Sequence, residues 1–186
     1  MLHPGMIQRR QNGVMTWRIA GTTVGGLSAL AAALLWAIKT VSILVAGYQP
    51  PVVFEAAPAL FGLTVVSLAF SYQARLTRVA QVLGVLATVA GVLAAWSELT
   101  GEVWGVALVT AMTGVLVGLI LIGLAARSDT RPLGTAGRWA LIIGLGTIPG
   151  VLVGGLLAMI NERLLEVPLL LIACMWARLG SLMLRM

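Results

Sequence analysis

Charge is what this 186-residue chain has least of: ten per cent of its residues are Asp, Glu, Lys or Arg, against sixty per cent apolar. A soluble domain of this size cannot cover its surface with so few charges, which excludes that class and leaves a polytopic membrane protein. Cysteine and histidine occur once each, as Cys174 and His3. One thiol excludes an intrachain disulfide, and without clustered His, Cys and carboxylate residues there is no metal-site spacing. Phosphate loops, dinucleotide fingerprints, nucleophile elbows and paired-histidine motifs are also missing. The sequence therefore gives no ground for an enzyme, a metal or a cofactor. Cys174, inside an apolar run, reads as a small packing residue.

What is present is a series of apolar runs. A bilayer core needs about 20 helical residues, roughly 17 at minimum. Six segments meet or approach that length: 19–47, 56–72, 79–96, 103–126, 139–160 and 164–184. Runs such as "GVLVGLILIGLAA" lack the strict alternation of a membrane β-barrel. The first run is too long for the h-region of a cleaved signal peptide, so it is expected to stay as an anchor. The expected fold is all-α: a basic tail over residues 1–18, then one bundle of about six transmembrane helices over residues 19–186.

The few charges give this bundle an orientation. Threaded alternately through the membrane, it collects Arg9, Arg10, Arg18, Arg75, Arg78, Arg127, Arg131, Arg138 and Arg185 on one side, which the positive-inside rule makes cytoplasmic. Both termini are then cytoplasmic. The opposite connections carry Glu55, Glu98, Glu102, Glu162, Arg163 and Glu166. Trp17, Tyr72 and Trp139 fall at the inner boundary and Tyr48, Trp96 and Trp104 at the outer one, where amphipathic rings favour the headgroup level. The net charge of +6 is thus accounted for by topology and anionic lipid, with no nucleic acid required. Eleven arginines to one lysine is a usage associated with GC-rich bacteria, which makes a bacterial cytoplasmic membrane the expected address.

Apolar side chains gain little by meeting inside lipid, so the helices must associate through small residues and interhelical hydrogen bonds. Small residues recur at helical spacing on four segments. Gly84 and Gly91 lie on the third, Gly114 and Gly118 on the fourth, Gly146, Gly150 and Gly154 on the fifth, and Gly25, Ala29, Ala33 and Ala37 on the first. They serve packing within one chain, or leave a face free for a membrane-protein partner or a second copy. In the fifth segment, "GLGTIPGVLVGG" puts Pro149 beside Gly150 inside a helical pattern, where a kink or break is expected.

The stretch "GYQPPVVFEAAPALFG" turns the chain between the first two helices. Pro58 suits the first turn of the second helix and Glu55 the positive end of its dipole. Lys39 is harder to place, since a lysine within a membrane segment either snorkels outward or marks a functional site. Its expected partner is Glu55, with Glu98 and Glu102 as substitutes. Arg178 reads as a snorkelling residue near the inner end of the last helix.

Two functions follow. The first reading is a helix-packing accessory or interaction subunit of a membrane complex. The alternative is a small-solute or ion transporter, or a solute-binding component, using Lys39, the outer carboxylates and the Pro149 break. In size, helix number and the alanine series of its first helix, the chain resembles the substrate-binding components of energy-coupling-factor transporters, in architecture and not in motif.

Overall fold

The computed structural model describes the backbone of residues 4–50, 55–72, 74–101, 105–127 and 132–186, and side chains over the same ranges from Ala20 onward except Pro132. Every regular element within them is helical: α1 (Pro4–Ala46), α2 (Ala57–Phe70), α3 (Arg75–Leu99), α4 (Gly105–Ala125), α5 (Pro132–Ala158) and α6 (Glu166–Met183), the last preceded by a 3-10 turn at Glu162–Leu165. Five helices contain apolar spans long enough to cross a bilayer. The chain is a multi-pass membrane protein. The N-terminal segment expected as a tail continues α1 as helix from Pro4.

The exception is α2, which sequence reading takes for a sixth span. Its 14 residues reach roughly 21 Å at 1.5 Å per residue, short of a hydrocarbon core of about 30 Å. It need not reach both faces because it is an inner helix. Ala57, Phe61, Gly62, Thr64, Val65, Leu68 and Ala69 are all buried, and its main packing partners are α1, α3 and α4. The helices pack in chain order with α2 between α1 and α3, and α6 returns to α1 to close the ring.

Close packing rests on glycine. A Cβ at Gly91 would lie 2.5 Å from the Ala59 amide nitrogen, and one at Gly62 the same distance from that of Thr88, so α2 and α3 meet backbone to backbone. Gly84 abuts Val66, Gly114 the Leu83 carbonyl, and Gly118 the Val65 side chain. On α5, Gly154 faces Leu165, and Gly150 and Gly146 stand more loosely over Ile172 and Met175. The small faces are therefore turned inward and used within the chain.

Three local expectations change. Tyr72 is not a boundary ring: it is buried, and its hydroxyl donates to the Leu133 carbonyl, tying the end of α2 to α5. Removing that donor in Tyr72→Phe costs about 1 kcal/mol, and thermal unfolding of the purified protein should fall by roughly 2–4 °C. Cys174 is exposed on α6 and packs against nothing inside. Helix α5 continues through Pro149 without interruption, and Pro149 lies on its exposed face. The expected break is therefore not a gap in the helix.

Candidate functional site: a charged cavity at one end of the bundle

The two halves of the bundle interior are filled differently. Leu68, Leu119, Ile122, Leu179 and Met183 are fully buried in one half. Between the halves, three aromatic rings from α1, α2 and α6 stack in series: Trp36 to Phe61 at 5.1 Å between centroids, and Phe61 to Trp176 at 4.1 Å. Beyond them lies a cavity of about 450 Å³. That is roughly three times the ~150 Å³ apolar cavity known to take benzene, and within the usual range for small-molecule sites.

Five helices build its walls. Trp36 and Lys39 come from the last turns of α1, Ala57 and Pro58 from the start of α2, Met112 and Leu116 from α4, Thr147 and Val151 from α5, and Leu169 and Ile172 from α6. Leu108 and Val109 of α4 also line it while remaining exposed, so the cavity opens through the side of the bundle. Its surface is mainly hydrocarbon, with polarity concentrated at Lys39, Glu55 and Glu166.

Lys39 and Glu55 form a salt bridge. The Gln49 amide also donates to the Glu55 carboxylate, at 3.4 Å. The pair is sheltered, with 24% of the lysine side chain and 11% of the glutamate side chain exposed. The lysine thus turns inward to a partner instead of snorkelling. Of the other expected carboxylates, Glu98 is half-buried on α3 and is not part of the cavity wall, though it lies within electrostatic reach of both Glu55 and Lys39. Glu102 lies outside the described residues. Pro149 and Gly150 do not line the cavity; their neighbours Thr147 and Val151 do. Arg178 is exposed on α6, as a snorkelling residue should be.

Glu166 is the residue sequence reading missed. It opens α6, where the helix dipole favours a carboxylate, and that local role hides its direction. It is 8% exposed, lines the cavity and forms no salt bridge with any described residue. Thr40, fully buried in α1, lies beside it, with its hydroxyl next to the Glu166 carboxylate and with no other partner among the described residues. A signal was available. The buried face of α6 runs Glu166, Ile172, Ala173, Trp176, Leu179, Gly180, Met183, so Glu166 prolongs the inward face by nearly two turns.

No protein-family model matches the chain, and no curated protein or solved structure matches it. The architectural resemblance to solute-binding transporter components therefore rests on size, helix number and the alanine series of α1.

Proposed function

We propose that the protein binds a small solute within the membrane, as a transporter or as a solute-binding component of one. One observation carries this reading: a cavity of about 450 Å³ that is mainly apolar and carries charge only at Lys39, Glu55 and Glu166, in a bundle whose other helix contacts are close enough to require glycine. Ionisable groups inside a membrane are costly and are retained where they bind or move something. An apolar enclosure with a few convergent polar groups is the usual form of a small-molecule site.

The accessory-subunit reading is the alternative: most of the small-residue faces serve internal contacts, while Gly146 and Gly150 on α5 are packed more loosely. The orientation follows the arginine distribution, with the cavity end outside and both termini in the cytoplasm.

Native mass spectrometry of the chain, purified in mild detergent from its own membrane, tests the proposal. The expected result is a small-molecule adduct that disappears in Met112→Trp, where an indole takes up cavity volume, while the variant still elutes as a folded, monodisperse species. A stoichiometric second protein with no small molecule would restore the subunit reading.

A further inference from the structure

The three charges on the cavity wall do not balance: one ammonium faces two carboxylates. Lys39 is committed to Glu55, which leaves Glu166, more than nine-tenths buried, without an ion-pair partner among the described residues. Glu98 adds a third carboxylate within reach of the same lysine. Every described arginine is elsewhere than on the wall. A buried carboxylate without a counter-ion is expensive, so the position favours an arriving cation.

Two further features fit the same guest. Trp36 is part of the wall, and an indole face attracts a cation within about 6 Å of its centre. The buried Thr40 hydroxyl stands next to Glu166 with no other partner among the described residues, so it can steady one oxygen of that carboxylate while the other meets a cation. Away from these residues the wall is mainly hydrocarbon, supplied by Met112, Leu116, Val151, Leu169 and Ile172, with Thr113 and Thr147 among them. Most of it suits an apolar body.

We infer that the ligand is an amphipathic cation: an amine or other compact cationic group held at Glu166 beside the Lys39–Glu55 pair, with an apolar body lying between α4, α5 and α6. This rests on the solute-binding reading above and narrows it to a chemical class. A free hydrophobic amine and an amine-bearing lipid share this chemistry. The lateral opening at Leu108 and Val109 admits either.

The test uses three probes with one apolar body, 4-phenylbutylamine, 4-phenylbutanol and 4-phenylbutyrate, titrated into the full chain in lipid nanodiscs. The amine is expected to bind at least ten-fold more tightly than the alcohol, and the carboxylate more weakly than both. Glu166→Gln, nearly isosteric, should remove the advantage of the amine and leave alcohol binding unchanged, which also shows that the variant is folded. Amine binding weakened in competition by added phosphatidylethanolamine, and not by phosphatidylcholine, assigns the natural ligand to lipid; insensitivity to both assigns it to a free amine.

Equal binding of amine and alcohol, or tightest binding of the carboxylate, would overturn the cationic assignment while leaving the cavity as a ligand site. If none of the three binds, and Met112→Trp changes nothing, the solute-binding reading fails as well.

Discussion

Gly91→Ala lowers the unfolding temperature of the purified protein by roughly 6–12 °C. The added carbon would sit 2.5 Å from the Ala59 nitrogen, 2.7 Å from its Cα and 2.9 Å from the Pro58 carbonyl carbon. All three are backbone atoms of α2, so no side chain can swing aside and the two helices must separate. Overpacking of a well-fitted interior costs about 1–3 kcal/mol, and a backbone clash belongs at the upper end. Separation of α2 from α3 would also shift Pro58 and Glu55, which border the cavity, so ligand retention should fall with stability. The control is Gly155→Ala, where a Cβ meets nothing within 4 Å. Alanine is the better helix former by up to about 1 kcal/mol, so that variant should unfold at or slightly above the wild-type temperature. Equal behaviour of the two variants in a thermal unfolding series would show that α2 and α3 do not meet as described.

Lys39→Met destabilises by about 2–3 kcal/mol, below the ~3–5 kcal/mol of a fully buried pair because a quarter of the lysine side chain remains exposed. Methionine preserves the length of the stem and removes only the charge. Glu55 then loses its counter-ion against a mainly apolar wall. Adding Glu55→Gln to the same chain should recover most of the loss, since the uncompensated charge is gone. A cationic ligand supplies a second, sharper readout. With Lys39 absent, the amine probe can serve Glu55 as well as Glu166, so 4-phenylbutylamine should raise the unfolding temperature of Lys39→Met more than that of the wild type. Phenylbutanol should show no such difference. A Lys39→Met protein as stable as the wild type, and indifferent to the amine, would mean that the ammonium and Glu55 do not interact.

Much of the architecture could be read from the sequence because membrane helices announce themselves by length. The runs containing Ala32, Val89, Leu119, Ile143 and Ala173 have one structural solution in lipid, where backbone groups must be satisfied internally. Glycine spacing likewise marks Gly84 and Gly91 as packing positions on α3, without saying that α2 is the helix they meet. Helix α2 is shorter than the 56–72 segment suggests, and its composition does not distinguish an enclosed helix from one that faces lipid. Only its neighbours show that it is enclosed. Pro149 drew attention as a departure from helical pattern, yet a proline on the outward face can be absorbed there without shaping the interior.

The candidate site was half legible. Lys39 stood out because a charge in an apolar run is conspicuous, and Glu55 was within reach by topology. Glu166 did not stand out, since its position at a helix start already had a local explanation. The cavity could not be read at all. It exists because α4, α5 and α6 leave space above the Trp36–Phe61–Trp176 stack, and such a gap is a property of helix crossings instead of any one residue.

Photolabelling tests most directly whether this space receives a ligand. The full chain in nanodiscs is irradiated with 4-benzoylbenzylamine, a cationic benzophenone, digested and mapped by mass spectrometry. The account predicts adducts on cavity residues, Trp36, Met112 and Leu169 foremost, suppressed by excess 4-phenylbutylamine. Adducts spread over outward-facing positions such as Val92 and Leu152, with no suppression by the amine, would contradict it.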